Sequence, residues 1–305
     1  QSDFFKNLMA RKKDRRPTIP EATMNMTPMI DVVFLLIIFF MLVTELTKIE
    51  IEAVTLPLAT SAKEDKNPPK NLWTLEAMAE HERLLTELDE DDELRVGIFT
   101  SALPDVFIQH FDVSLLVGFS EARRSGEGRT ARRRPAYRPG PKVTIAAVNG
   151  SLAGGGLELA QACDFRFMAR GALAAQPEVA VGILAGGGGT QRMPRLIGID
   201  KALDLQLTAR RVSADEAERL GLVTRACDPE ELMPQAIAFA KSIAVHPPKA
   251  VASIRKAIYE GMSMPLEDGL ALESELFQEL LESDEALELM RNYVEGGQSP
   301  GQILA

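Results

Sequence analysis

The stretch Ile145-Ala-Ala-Val-Asn-Gly-Ser-Leu-Ala-Gly-Gly-Gly-Leu-Glu-Leu-Ala160 decides how this chain folds. A strand of β-branched and small residues runs into three glycines, Gly154 to Gly156, and a helix-forming run follows. Glycines at that turn let a ligand approach the backbone, and the start of the helix presents N–H groups to a developing negative charge. Glu158 falls in the first turn of this helix, facing the same region. Taken alone, the turn is equally well explained as a tight packing turn. A phosphate-binding P-loop is excluded, because no Gly-Lys-Ser/Thr follows.

A second stretch repeats the arrangement: Gln176-Pro-Glu-Val-Ala-Val-Gly-Ile-Leu-Ala-Gly-Gly-Gly-Gly-Thr-Gln-Arg192. Glu178 precedes a glycine run and a helix, so two carboxylates at such turns could form an acid–base pair. The plainer explanation is two surface glutamates among 44 acidic residues. Outward from these motifs, residues 142–305 have the pattern of a packed α/β domain ending in three helices from about Glu230. Upstream, Leu94 to Thr100 reads as a buried strand, and Leu72 to Leu88 places apolar residues at helical spacing. No internal sequence repeat supports a solenoid.

The whole chain has 305 residues, 46% hydrophobic, with a formal net charge of −10. That length can bury a sizeable core, and the charge argues against general nucleic-acid binding. Cys163 and Cys227 have neither metal-ligand spacing nor enough companions for a disulfide framework, and read as reduced, partly buried thiols.

Together the motifs resemble the enoyl-CoA hydratase/isomerase (crotonase) family. The resemblance rests on Ala-Ala-Val-Asn-Gly…Gly-Gly-Gly-Leu-Glu-Leu-Ala…Ala-Cys-Asp, ending at Asp164, and on Pro-Glu-Val…Gly-Gly-Thr-Gln-Arg after Gln176. Thr208 to Val223, Asn67 to Leu72 and Leu94 to Thr100 agree with it, so it covers about residues 67–305. It implies an α/β fold: a spiral of ββα units with C-terminal helices that join subunits into a homotrimer or hexamer. It implies an acyl-CoA thioester whose carbonyl oxygen, enolate-like in the reaction, is held by the backbone N–H groups of Phe111 and Gly155. Lys70, Phe111, Asp112, Val113, Ser114 and Gly155 are the substrate-binding positions it carries over. Glu158 matches the water-activating glutamate and Glu178 the one that protonates the α-carbon, which favours an enoyl-CoA hydratase over an isomerase or carbon–carbon lyase. No metal and no cofactor beyond the substrate's own coenzyme A are implied. The chain departs from the family at Gln109-His110-Phe111-Asp112, where a small-Gly-small-Asp run is usual. A backbone donor tolerates any side chain, so the expectation is a surviving oxyanion hole with His110 as a packing residue.

The N-terminal region reads differently. Residues 1–26 form a polar, basic tail, and Val32 to Val43 is uniformly apolar. With its flanks, 27–46 suits an uncleaved membrane helix capped by Thr27, begun by Pro28 and oriented with the tail in the cytoplasm. Asn25-Met-Thr-Pro-Met-Ile-Asp-Val-Val-Phe-Leu-Leu-Ile-Ile-Phe-Phe-Met41 resembles the single helix of the ExbD/TolR biopolymer-transport family over about residues 15–62. That resemblance implies a proton relay at Asp31 and an ExbB/TolQ-like channel partner. An alternative role for Asp31 is an interfacial carboxylate favoured by the helix dipole. A possible strand at 48–58 lies within a 47–66 linker. The two resemblances read as a fusion and pull localisation in opposite directions, cytoplasmic by the enzyme part and inner membrane by the helix. A transport-motor component carrying an inert crotonase-like part is the competing function. Residues 121–142, with seven arginines, three glycines and three prolines, read as a solvated loop.

Overall fold

A computed structural model describes residues 72–126 and 140–296, and the backbone alone of Val54–Thr55. The chain divides into two units, 1–48 and 49–305, and every described residue lies in the second. The expected membrane helix at 27–46, Asp31 and Lys70 lie outside the described residues.

In chain order the elements are β1 (Val54–Thr55), α1 (Leu75–Glu90), β2 (Val96–Thr100), β3 (Asp105–Val106), α2 (Val113–Arg124), β4 (Val143–Val148) and β5 (Gly150–Ala153). There follow α3 (Gly155–Ala162), β6 (Phe165–Ala169), β7 (Leu173–Ala175), a 3₁₀ turn at Glu178–Val181, α4 (Gly189–Ile197) and α5 (Ile199–Thr208). Then come β8 (Val212–Ser213), α6 (Ala214–Leu220), β9 (Arg225–Cys227) and a 3₁₀ turn at Pro229–Glu231. The chain closes with α7 (Leu232–Ala244), α8 (Pro248–Gly261), α9 (Leu266–Leu281) and α10 (Asp284–Glu295). Three successive units share one path: β2-β3-α2, β4-β5-α3 and β6-β7-α4. The first strand of each joins a parallel five-stranded sheet, β1-β2-β4-β6-β9. The second joins a four-stranded sheet, β3-β5-β7-β8, whose last pair is antiparallel. This is the expected ββα spiral.

The burial of β4 shows why its sequence is so plain. All six residues, Val-Thr-Ile-Ala-Ala-Val, are buried, because a parallel sheet is covered on both faces. Side chains alternate between faces along the strand. Ala146 and Val148 join Trp73, Phe99 and Met168 in one core; Val143, Ile145 and Ala147 join Ile98, Phe167 and α7 in the other. Helix α7 meets the sheet through Leu232, Ala236, Ala240 and Ala244, spaced four apart on one stripe. Burying one Ile or Leu in such a core is worth about 1.5–3 kcal/mol.

Three expectations are corrected. The arginine-rich stretch is not all loop: residues 121–124 complete α2, whose C-terminal Arg123 and Arg124 favour the negative end of the helix dipole. Residues 127–139 lie outside the described residues. Among the described residues four helices, not three, follow Glu230, because Pro265 and Ser283 each stand at the start of a new helix. The possible strand at 48–58 narrows to Val54–Thr55, paired with Phe99 and Thr100. Both cysteines are buried and free of disulfides, and burial pushes the Cys163 thiol up to about 12, leaving it uncharged.

Candidate active site

The turn after β5 is shaped by its glycines. Gly154 has φ 51° and ψ −123°, a backbone that side-chain-bearing residues rarely adopt. A Cβ on Gly156 would sit 2.2 Å from the Ile108 carbonyl oxygen, so only glycine lets α3 start this close to the 107–111 segment. That segment is tied on its other side by a parallel bridge. Trp73 N–H donates to the His110 carbonyl (2.8 Å), and Asp112 N–H donates to the Trp73 carbonyl (3.2 Å). In such a bridge the residue between the two bonds turns its own N–H and C=O the opposite way. The Phe111 carbonyl accepts from His110 Nδ1 at 2.7 Å. Its nitrogen lies 3.3 Å from where a Cβ on Gly155 would be. Phe111 N–H and the first turn of α3 therefore border one space, kept open by the missing side chain at 155.

Glu158 sits one turn into α3 and is 4% exposed. Its Oε1 accepts from the N–H groups of Gly187 (2.7 Å) and Gly189 (2.8 Å), so the second glycine run holds the first motif's carboxylate. Burial pushes the Glu158 carboxyl above its ordinary value, and the neighbouring charge of Glu178 pushes it the same way. Glu178 lies at the start of the 3₁₀ turn, with Oε1 3.1 Å from the Cβ position of Gly154. Oε1 accepts from Gln176 Nε2 at 2.8 Å. Among the described residues, its Oε2 is buried without a hydrogen-bond partner. Beside Glu178 opens a cavity of about 360 Å³ with a mainly apolar lining that includes Val179, Leu184, Pro194, Leu203 and Leu207.

The structure thus brings Glu158, Glu178, Gly155 and Phe111 together. Asp112, Val113 and Ser114 build the start of α2 beside that space. Asp112 caps α2, accepting from Ser114 N (2.9 Å) and Ser114 Oγ (2.7 Å), and Val113 opens the helix at the surface. His110 keeps an ordinary backbone, since among the described residues only Asp105 and Ala209 are non-glycines at positive φ. Its ring turns back onto the Phe111 carbonyl and pins the donor next to it. Sequence reasoning missed Gln176 and Gln161, both buried. Their signal was available: Gln176 is two residues before Glu178, and Gln161 is three after Glu158, on the same helical face.

Over residues 65–300 the sequence matches the enoyl-CoA hydratase/isomerase family. The chain belongs to that family. It is 37% identical over 234 residues to a short-chain-enoyl-CoA hydratase of Clostridium acetobutylicum, covering 75% of this chain and 89% of that protein. A crotonyl-CoA hydratase of Syntrophomonas wolfei is 37% identical, covering 69% and 82%. Among solved structures, an enoyl-CoA hydratase from Bacillus anthracis superposes with a TM-score of 0.65 at 33% identity, over 74% of this chain and 88% of that one. Residues 19–109 also match the biopolymer transport protein ExbD/TolR family, overlapping the first match over 65–109 and reaching well beyond the expected end near 62. Among the described residues, no helix is long and apolar enough to cross a membrane.

Proposed function

We propose that this chain adds water, syn, to 2-enoyl-CoA thioesters. One observation carries the reading: two glutamates, Glu158 and Glu178, meet beside the Phe111 and Gly155 backbone. The thioester oxygen takes hydrogen bonds from those two N–H groups, each typically worth about 2.7–4 kcal/mol of barrier. Glu158 removes a proton from water as the water oxygen bonds to the β-carbon, its raised affinity for protons making it a better base than an exposed carboxylate. The π electrons move onto the α-carbon and the thioester oxygen, and Glu178 delivers a proton to the α-carbon. Water is consumed as H and OH, and proton exchange with solvent resets the pair. The apolar cavity beside Glu178 takes the acyl chain, and the names of the relatives favour a short one.

The test is loss of the enoyl-thioester ultraviolet absorbance with crotonyl-CoA. Glu158→Gln and Glu178→Gln should each slow hydration by roughly 10²–10⁴-fold. Near-wild-type turnover in either variant refutes the two-glutamate mechanism, and a rearranged product instead of a 3-hydroxyacyl-CoA would point to an isomerase or another reaction of the family.

The C-terminal helices support assembly into a homotrimer or hexamer. Ile254 and Ile258 on α8, Met262 just after it, and Leu266, Leu270 and Phe277 on α9 each expose more than half of their surface, more apolar area together than a monomer ordinarily leaves uncovered. A monomer in sedimentation equilibrium would refute this. A second reading follows from the ExbD/TolR match: membrane insertion by 27–46, with Asp31 as a proton relay beside an ExbB/TolQ-like channel partner. It requires the full chain to sediment with membranes, and recovery as a detergent-free soluble oligomer argues against it.

A further inference from the structure

The carboxylate that faces the α-carbon does not stand alone. Gln176 is 1% exposed and Gln161 5% exposed, and the two form a directed chain behind Glu178. Gln161 Nε2 donates to Gln176 Oε1 at 3.3 Å, and Gln176 Nε2 donates to Glu178 Oε1 at 2.8 Å. The direction matters, because an amide has a donor end and an acceptor end. Turned over, Gln176 would present its oxygen to the Glu178 carboxylate and its NH₂ to the NH₂ of Gln161. With Gln161 as it stands, both contacts would then be lost as hydrogen bonds in a buried site where, among the described residues, Gln161 Oε1 already has no partner. Gln176 itself is confined. A Cβ on Gly189 would lie 3.1 Å from Gln176 Cδ and Oε1, and the N–H of the same Gly189 holds Glu158. The amide therefore sits between the supports of the two glutamates, with rotation about its own axis as its main remaining freedom.

We infer that Gln161 is a positioning residue, selecting the one orientation of the Gln176 amide that holds Glu178 Oε1 and leaves Oε2 to act. The inference rests on the hydratase reading of Glu178. Gln161 approaches no reacting atom and acts only through Gln176.

Three variants test it. Gln161→Met keeps the volume and deletes the donor; kcat for crotonyl-CoA should fall about tenfold, the worth of one ordinary net hydrogen bond, with KM changed by less than about twofold. Gln161→Glu offers only an acceptor, draws Gln176 Nε2 away from Glu178, and should lose more than Gln161→Met. In a Gln176→Met background, Gln161→Met should have no further effect on kcat, because the intermediary is gone. In D₂O, the single-face deuterium labelling of the α-carbon should weaken in Gln161→Met, which a general loss of stability would not cause. Additive effects of the two methionine substitutions, or unchanged kcat and labelling in Gln161→Met, overturn the inference. Crystal structures of wild type and Gln161→Met decide the geometry without turnover. The inference expects the Gln176 amide and the Glu178 carboxylate to leave their positions, and unmoved groups overturn it. A wild-type chain that binds but does not hydrate crotonyl-CoA refutes the hydratase reading instead, while the crystallographic comparison still decides Gln161.

Discussion

Replacing Glu158 by Gln keeps the outline of the side chain and removes its charge, so it separates chemistry from folding. The amide oxygen can still accept from Gly187 and Gly189, the bonds that Oε1 makes at 2.7 and 2.8 Å. What those bonds lose is their charge-assisted part, about 1 kcal/mol each. Against this stands the cost of keeping an ion in the site, several kcal/mol for a buried carboxylate, with the charge of Glu178 adding to it. Desolvation is the largest influence on Glu158, so the variant should be more stable than the wild type where Glu158 is ionised. The folded carboxyl holds its proton to higher pH than the unfolded one, whose ordinary value is 4.5. Between those two values the native state binds more protons at this group, so the contribution of Glu158 to wild-type stability falls as pH rises through the window. Below it the two proteins should melt together; above it the variant should melt higher, while its turnover is down roughly 10²–10⁴-fold, or about 2.7–5.5 kcal/mol of barrier. Urea titrations at pH 4 and pH 8, run beside the crotonyl-CoA assay, read both effects. A variant less stable than wild type at pH 8, or equally offset at both pH values, would refute the reasoning.

Arg255 binds Asp164 through three contacts of 2.8–3.0 Å, with Tyr259 Oη donating to the same carboxylate at 2.8 Å. Arg255→Met leaves that carboxylate buried without its counter-charge, though still held by Tyr259 and Thr144, and should cost about 3–5 kcal/mol by denaturant titration; a loss below about 1 kcal/mol would mean that the site is wet. His81 packs between Trp73 and Phe99, and burial lowers it from 6.5 to about 4. The unfolded chain then binds the extra proton between those values, so stability should rise by about 3 kcal/mol from pH 4 to pH 6.5. His81→Phe should flatten that part of the profile, and an unchanged slope would assign it elsewhere. Leu203 lines the cavity beside Glu178, 51% exposed at its mouth. Leu203→Trp should lower kcat/KM for a longer 2-enoyl-CoA at least tenfold more than for crotonyl-CoA, an effect on the scale of one or two methylenes in an apolar pocket; equal losses would place the chain in another channel.

The sequence by itself determined the turns and the carboxylates. The glycines at 154–156 and the glutamates at 158 and 178 are legible because turn geometry and acid–base chemistry are local demands on residue type. The apolar run from Leu94 to Thr100 likewise announces the buried strand found at Val96–Thr100. What only the tertiary structure decided is how these pieces meet. That the second glycine run donates to Glu158 across 29 and 31 residues cannot be read from either motif. The same holds for Phe111, whose N–H direction is set by a bridge to Trp73, 38 residues away in sequence. Asp112 and Ser114 carried the family's binding pattern, yet their first engagement is with each other, as a helix cap. Gln161 and Gln176 lay in plain view beside the glutamates. An amide acquires a role only when a fold buries it and leaves another amide as its partner, and burial depends on the whole packing of a chain.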